Sequence, residues 1–219
     1  MNIIQTWKNK ELPIQFKSCI ESVFKYGKNW NYLFFTDEDI ESFMGEQPII
    51  YQNTYNNFPH KIQKIDFFRY LAIYKFGGLY LDLDILLQNN IDELINEPYI
   101  CKFPMELENI TDTIFINQGF HNLVGNYAFY SPAKHPFLKQ IIDNIVNQRL
   151  SEEDIALAQS TNGDSPEQVF VYCTTGPILV TQTYIDTENR NSISLLRTYP
   201  FIPNNFGIFG KHCCFGSWK

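Results

Sequence analysis

Residues 65–87 read IDFFRYLAIYKFGGLYLDLDILL and contain a helix followed directly by a strand. The nearly all-apolar segment predicts a helix over Lys61–Phe76 that is buried on most sides. Gly77 and Gly78 are expected to stop it, because glycine is favoured just past a helix C-terminus. Strands are predicted at Leu79–Leu81 and Ile85–Leu87. Helix and strand patterns alternate in the same way along the chain, which favours an α/β fold.

The rest of the chain predicts further elements and no repeat or linker. These are a strand at Ile3–Ile4, a helix from Pro13 to Gly27, a strand at Trp30–Phe35, a helix from Thr36 or Asp37 through Phe43, a short helix near Asp92, strands near Tyr99 and at Asn126–Tyr130, and helices at Pro136–Arg149, Glu167–Cys173 and Ile178–Tyr184. The remaining tail is predicted to be irregular. With 219 residues, the chain is expected to form one domain over 1–219.

Composition excludes several classes of partner. The 24 acidic and 17 basic side chains give a formal charge of -7, which disfavours binding to nucleic acid or anionic membranes. No apolar run approaches the roughly 20 residues that span a bilayer, and no signal peptide is apparent, so a cytoplasmic protein without a membrane span is expected. The five cysteines are odd in number and form no CxxC pair, so we expect reduced thiols.

Asp82 and Asp84 are two residues apart inside an otherwise apolar run. If the backbone there is extended, both carboxylates lie on one face. Two like charges beside an apolar core repel each other and lose hydration unless a cation compensates. Oxygen ligands favour Mn²⁺ or Mg²⁺ over zinc. The alternative is a turn at a strand end, with both acids facing water.

Asp66 and Arg69 lie one turn apart on the buried helix. A local ion pair contributes only about 0.2–0.5 kcal/mol, which does not justify two charges inside a buried helix. A fixed guanidinium near a metal site suits a diphosphate or sugar hydroxyl groups.

One pattern of nine fixed positions resembles that of the DXD-containing sugar transferases of glycosyltransferase family 32. Its residues here are Asp66, Arg69, Tyr70, Tyr74, Gly77, Gly78, Tyr80, Asp82 and Asp84. The family is typified by the yeast outer-chain initiating mannosyltransferase, with the large clostridial toxin glucosyltransferases as distant relatives. The resemblance implies a GT-A fold: a single Rossmann-like nucleotide-binding domain with a central, mostly parallel sheet. It also implies transfer of a hexose from a UDP- or GDP-sugar to a glycan, lipid or protein acceptor, with retention at the anomeric carbon.

The resemblance also implies roles for individual residues. Asp82, Asp84 and His212 would bind the metal, with Asp82 acting directly or through water. Asp82, Asp84 and Arg69 would carry catalysis, and the donor would contact Trp7, through stacking on its base, together with Asp66, Arg69, Asp82, Asn126, Ser217 and Trp218. From residue type alone, Trp7 is more often a core residue, a lone histidine is usually a surface residue, and the last residues are often frayed. His135 is interpreted as a helix start, and Thr175-Gly176-Pro177 as a tight turn leading into a helix.

The sequence departs from the family pattern at three points. Gln5 stands near the position where relatives often have a histidine, Cys213-Cys214 follows His212, and the membrane anchor of eukaryotic members is not apparent. Two other functions stay open. Asp-x-Asp after an apolar strand also occurs in Mg²⁺-dependent haloacid-dehalogenase-like phosphatases, although Leu86 replaces their Thr or Val. A module that binds a sugar nucleotide or glycan without turnover is the third possibility.

Overall fold

The computed structural model describes residues 1–110, 121–148 and 165–216. Its strands are β1 (Asn2–Thr6), β2 (Asn31–Phe35), β3 (Gly78–Leu81), β4 (Ile85–Leu87), β5 (Cys101–Leu107), β6 (Leu123–Val124), β7 (Ala128–Ser131), β8 (Ile193–Leu196), β9 (Asn205–Phe206) and β10 (Gly210–His212). Its α-helices are α1 (Lys17–Tyr26), α2 (Asp37–Gly45), α3 (Ile49–Asn57), α4 (Lys61–Phe76), α5 (Pro136–Asn147), α6 (Pro166–Thr174) and α7 (Pro177–Asp186). Short 3-10 helices occupy Ile14–Phe16, Ile91–Asn96 and Arg190–Ser192.

A seven-stranded sheet forms the centre of the described chain, in the order β2-β1-β3-β7-β5-β6, with β8 also paired to β5. Strand β1 runs parallel to β2 and β3, and β5 runs parallel to β8. Strand β7 is antiparallel to both β3 and β5, and β6 is antiparallel to β5. Strands β1, β2, β3, β5 and β8 therefore share one direction. The prediction of an α/β fold with a mostly parallel central sheet is confirmed.

The junction between α4 and β3 explains the two consecutive glycines. Gly77 and Gly78 have φ angles of 64° and 118°, which side chains of L residues rarely adopt. A Cβ on Gly78 would lie 2.2 Å from the carbonyl oxygen of Asn2. Glycine therefore allows β3 to pair closely with β1 as soon as α4 ends.

Alternate residues of β3 pack on opposite faces of the sheet. Tyr80 lies in the apolar cluster that includes α4 and α5, whereas Leu79 and Leu81 lie in the cluster on the other face with Trp30. Because both faces are covered, β3 is buried along its whole length. Because β3 is held in this way, its C-terminal end fixes the position of the segment that follows, which contains the two aspartates.

A second sheet contains three strands in the order β4-β10-β9, all antiparallel. The prediction of an irregular tail was therefore wrong, since β8, β9 and β10 all follow α7. These strands have two to four residues each and pair with strands distant in sequence, so they leave no periodic pattern. Helix α3 was also missed, because Ile49 and Ile50 are 69% and 53% exposed and give it no buried stripe.

The other predicted elements are present, with shifts of a few residues. The strands expected near Tyr99 and at Asn126–Tyr130 are β5 and β7, and the predicted end of the helix at Arg149 lies outside the described residues. All five cysteines are free thiols. Across the three described ranges, every helix is too short or too polar to cross a bilayer.

Candidate active site

Asp82 and Asp84 lie in the turn between β3 and β4, so the backbone is not extended there and the alternative of a turn at the strand end is correct. The N–H group of Ile85 donates to the carbonyl oxygen of Asp82 at 3.1 Å and closes this turn. The turn still brings the carboxylates together: one oxygen from each, and a ring nitrogen of His212, lie within 4.8 Å of one another. Asp84 is 7% exposed, so it does not simply face water.

His212 reaches Asp84 through the pairing of β10 with β4, in which it is opposite Ile85. Its Nε2 lies 3.3 Å from Asp84 Oδ1. The N–H group of Phe215 donates to Asp84 Oδ2 at 3.0 Å. The ring of Tyr127 stacks on the imidazole with centroids 4.4 Å apart, and His212 Nδ1 has no hydrogen-bond partner among the described residues. The histidine is thereby held in one orientation beside the carboxylate.

Asp84 and His212 shift each other's ionisation. Burial raises the pKa of Asp84, but the hydrogen bond and charge of His212, with the N–H of Phe215, outweigh it and leave this pKa below its ordinary value. Burial lowers the pKa of His212, but the contact with Asp84 and the charge of Asp82 leave it raised. The site therefore favours a positive charge beside Asp84.

Asp82 is held through both its side chain and its backbone. The hydroxyl group of Tyr80 donates to its Oδ1 at 2.9 Å, and Arg69 Nη2 lies 3.3 Å from the same oxygen. Gln5 Nε2 donates to the backbone carbonyl oxygen of Asp82 at 3.2 Å. The backbone N–H group of Asp82 donates to the carbonyl oxygen of Tyr127 at 2.8 Å. Burial raises the pKa of Asp82 in spite of Arg69. A cation beside this carboxylate would offset that cost.

Arg69 is 3% exposed and binds three parts of the site. Its Nη2 also lies 3.1 Å from Asp66 Oδ1, so the predicted ion pair within α4 is confirmed. Its Nη1 donates to the carbonyl oxygen of Asn126 at 2.8 Å, and the guanidinium carbon lies 4.5 Å from the ring centroid of Tyr80. Desolvation opposes its charge, yet Asp82 foremost holds its pKa above the ordinary value. The planar fork therefore joins α4 to the aspartate turn and to the start of β7.

Asp66 receives hydrogen bonds from three elements. Besides Arg69, Thr175 Oγ1 donates to its Oδ2 at 2.8 Å and Asn126 Nδ2 donates to its Oδ1 at 3.2 Å. Burial raises the pKa of Asp66 to about 6, against the opposing charge of Arg69. Asn126 Nδ2 also donates to the hydroxyl group of Tyr70 at 2.9 Å. Asp66, Arg69 and Asn126 therefore form one buried polar network.

The segment Thr175-Gly176-Pro177 is the predicted turn, with Gly176 as the N-cap and Pro177 as the first residue of α7. It has a second role that the sequence did not indicate, because the Thr175 hydroxyl binds Asp66. His135 is confirmed as a helix start: its Nδ1 accepts a hydrogen bond from the N–H group of Phe137 at 3.2 Å.

Trp7 follows β1 and borders the same cavity. Its ring meets Phe16 edge-on, with centroids 5.0 Å apart, and Lys8 Nζ lies 5.5 Å from its centroid. Its Nε1 is buried without a hydrogen-bond partner among the described residues. Ser217 and Trp218 lie outside the described residues.

The cavity has a volume of about 770 Å³, which is within the range of small-molecule sites. It brings together eight of the sequence-derived candidates within the described chain. They are Trp7, Asp66, Arg69, Asp82, Asp84, Asn126 and His212, with Tyr80 of the family pattern. Sequence reasoning missed Tyr127 and Glu106, which also line it, and the contacts of Gln5 and Thr175. The position of Gln5 near a family histidine and the Thr-Gly-Pro turn were the available signals for the latter two.

An α/β fold with a DXD turn at the end of a central strand defines a GT-A type glycosyltransferase fold. The ligand-free glycosyltransferase domain of the YGT toxin aligns with a TM-score of 0.55 at 10% identity, over 89% of this chain and 79% of that one. Such low identity shows the shared fold alone. The expected likeness to toxin glycosyltransferases is confirmed at that level.

Residues 13–100 match the family model described as a glycosyltransferase sugar-binding region containing a DXD motif. This part of the chain is similar to that family, in agreement with the resemblance seen in the sequence.

Similar curated proteins are fungal mannosyltransferases. Inositol phosphoceramide mannosyltransferase 1 of Schizosaccharomyces pombe is 31% identical over 147 residues, covering 65% of this chain and 41% of that protein. The initiation-specific alpha-1,6-mannosyltransferase of Candida albicans is 26% identical over 209 residues, covering 86% of this chain and 53% of that protein. The chain thus spans only about half or less of the length of these relatives.

Proposed function

We propose that this chain is a metal-dependent glycosyltransferase that moves a hexose from a UDP- or GDP-sugar to a glycan, lipid or protein acceptor. Residues 1–219 would form a single catalytic domain. The observation that carries the proposal is the meeting of Asp82, Asp84 and His212 ligand atoms within 4.8 Å inside the cavity. Because the related fungal proteins are named mannosyltransferases, mannose is the first hexose to test.

The proposed metal ligands suit Mn²⁺ or Mg²⁺. The two carboxylates supply hard oxygen ligands, which suit Mn²⁺ and Mg²⁺, and the imidazole adds one nitrogen ligand. The raised pKa values of Asp82 and His212 fit a site in which a cation replaces protons. A bound divalent cation would supply Lewis-acid stabilisation of the departing diphosphate.

Different residues of the cavity would bind different parts of the donor. Trp7, which borders the cavity, stacks on the base with its indole ring. Asn126 and Asp66, at the buried end of the cavity, bind the donor sugar. Arg69 fixes Asp82 through the contact at 3.3 Å and adds positive charge beside the diphosphate and sugar. Ser217 and Trp218 would donate hydrogen bonds to the diphosphate.

The proposed reaction retains the configuration of the anomeric carbon. The bond from that carbon to the diphosphate oxygen breaks and its electron pair leaves with the phosphate. The acceptor hydroxyl oxygen bonds to the same face of the carbon, and its proton passes to the departing phosphate oxygen. Asp66 and Asp82 are both engaged by Arg69, so neither is an unpaired nucleophile. A front-face transfer without a covalent intermediate is therefore part of the proposal. Stabilisation of the charge that develops on the leaving group would be the main catalytic effect.

A donor screen tests the function directly. The melting temperature is measured with GDP-mannose, GDP-glucose, UDP-glucose and UDP-galactose, each with and without Mn²⁺, and donor turnover is then assayed. A ligand of the folded state should raise the melting temperature only with Mn²⁺ and be turned over. Asp84→Asn should lose both effects, whereas Asp143→Asn, which alters a surface pair with Lys139, should keep them.

The same screen separates the alternatives. Phosphate release from simple esters, without turnover of any nucleotide sugar, would instead support a phosphatase. Donor binding with neither transfer nor hydrolysis would support a non-catalytic binding module.

A further inference from the structure

Glu106 lines the same cavity and has no role in the donor site described above. It is the penultimate residue of β5, and the following residue, Leu107, lines the cavity and is 41% exposed. Glu106 itself is partly buried. Its carboxylate therefore stands where the cavity wall approaches solvent.

The structure leaves space for this carboxylate beside Tyr127. A Cβ on Gly125 would lie 2.9 Å from Glu106 Oε2 and 2.6 Å from Tyr127 Cε1. The absence of a side chain at Gly125 thus lets the carboxylate and the tyrosine ring approach each other. Because the same ring stacks on His212, Glu106 is one aromatic ring away from the proposed metal ligands.

The Glu106 carboxylate lacks a hydrogen bond or ion pair with any other residue in the described ranges 1–110, 121–148 and 165–216. Asp66, by contrast, is bound by Arg69, Asn126 and Thr175. Burial raises the pKa of Glu106 to about 7, and the charge of His212 only partly opposes this. A carboxylate placed in a cavity wall without donors is costly, so a bound ligand that supplies a donor would relieve the cost.

The surroundings restrict which ligand group this is. Glu106 is outside the set of ligand atoms formed by Asp82, Asp84 and His212, so the metal does not account for it. A diphosphate would be repelled by a carboxylate. A hydroxyl group donates to a carboxylate, and sugars present many of them. The network proposed for the donor sugar is attached to α4, whereas Glu106 stands beside Tyr127 and the exposed Leu107.

Building on the proposed glycosyltransferase function, we propose that Glu106 binds the acceptor: its carboxylate accepts a hydrogen bond from a hydroxyl group of the acceptor sugar. The residue would thereby orient the acceptor along the wall formed by Tyr127 and His212. Charged hydrogen bonds of this kind contribute more than neutral ones, so their loss weakens acceptor binding measurably.

The test separates acceptor binding from donor chemistry. Glu106→Gln is compared with Glu108→Gln, the same change two residues further on, where the carboxylate binds Arg197 at 2.9 Å and does not line the cavity. Donor hydrolysis is measured without any acceptor compound, so that water is the only acceptor. Transfer is then measured to methyl α-mannoside, methyl α-glucoside, methyl α-galactoside and myo-inositol. Binding of each compound is followed by NMR with the nucleoside diphosphate and Mn²⁺ present.

We expect Glu106→Gln to raise KM for the best acceptor by about tenfold, with donor KM and hydrolysis unchanged. Glu108→Gln should match the original protein. Unchanged acceptor KM in Glu106→Gln would overturn the inference. Equal loss of hydrolysis and transfer would also overturn it, because it would indicate a nucleophile or donor contact. If the original protein hydrolyses a donor but neither binds nor uses any of the four compounds, the inference about Glu106 fails while the proposed function stands. If the original protein turns over no donor, the proposed function itself fails.

Discussion

Arg69 Nη2 lies 3.3 Å from Asp82 Oδ1, and this contact joins helix α4 to the DXD turn. The same nitrogen lies 3.1 Å from Asp66 Oδ1, so one guanidinium group fixes two carboxylates that would otherwise repel each other. The contact also explains why two charges are retained in a buried helix. They position Asp82 relative to the proposed metal ligands Asp84 and His212, in addition to any contribution to stability.

Arg69→Lys should lose activity although it keeps the charge. A lysine ammonium cannot replace the planar fork that reaches Asp66, Asp82 and the carbonyl oxygen of Asn126 and stacks on Tyr80. We expect kcat/KM to fall about 100-fold. Steady-state kinetics with the donor identified in the screen provide the measurement. A kcat/KM near that of the original protein would show that Arg69 only forms a structural ion pair.

Thr175→Val should destabilise the fold through Asp66. The valine has a similar shape but removes the hydroxyl group that donates to Asp66 Oδ2 at 2.8 Å. An unsatisfied buried acceptor costs about 1–3 kcal/mol, and the free energy of unfolding should fall by that amount. Urea denaturation measures the change. Thr175→Ser, which retains the hydroxyl group, is the control, and equal stability of the two variants would contradict the assigned role.

Turnover should require a divalent cation. Excess EDTA should abolish it, and added Mn²⁺ should restore it, because Asp82, Asp84 and His212 otherwise lack the cation proposed to link them to the diphosphate. Asp84→Asn should lower turnover at least about 100-fold and remove the rise in melting temperature that Mn²⁺ causes. Full donor hydrolysis in EDTA would rule out the metal site.

Much of this fold is visible in local sequence patterns. Helix α4 and strand β4 begin and end where the sequence predicts, because a long apolar segment and two glycines leave few alternatives. For the two aspartates the sequence left open both an extended strand and a turn at its end, and the structure has the turn. An Asp-x-Asp pattern is compatible with either extended or turned backbone until the hydrogen bond from Ile85 to Asp82 is known.

The site was less predictable because its parts come from distant segments. His212 became a candidate only through the family resemblance, since β10 is three residues long and its pairing with β4 has no local signature. Tyr127 and Glu106 acquire their relation to His212 from strand pairing and from the space at Gly125. Residue patterns show period and charge, but they do not show which strands become neighbours.

The stability of the protein should depend on pH through Glu106. Its pKa rises from 4.5 to about 7 on folding because of burial, with His212 opposing the rise and with Tyr127 and Cys214 as further ionisable neighbours. Between these values the folded state binds the proton and the unfolded state does not, so this residue's contribution to stability falls as pH rises from 4.5 to 7.

Urea denaturation at intervals from pH 4.5 to pH 8 measures this effect. The difference in unfolding free energy between the original protein and Glu106→Gln should decrease across the interval and then level off. A difference that is constant with pH would show that the folded protein does not hold the Glu106 proton.

The final prediction concerns Ser217 and Trp218. If they donate hydrogen bonds to the diphosphate, they act on charge that grows as the sugar leaves, so their loss should lower kcat more than it raises KM. A chain ending at Gly216 should lose about 100-fold in kcat, since one such donor can contribute about 3 kcal/mol. It keeps the N–H group of Phe215 that binds Asp84, so the proposed metal site is left in place. Because trimming at a chain end rarely disturbs a core, the melting temperature without ligand should be unchanged.

Ser217→Ala and Trp218→Phe in the full chain divide the loss between the two donors. A large loss of kcat with unchanged apo stability would support a tail that closes over the donor, whereas unchanged turnover would exclude both residues from the donor site and weaken the assignment of His212.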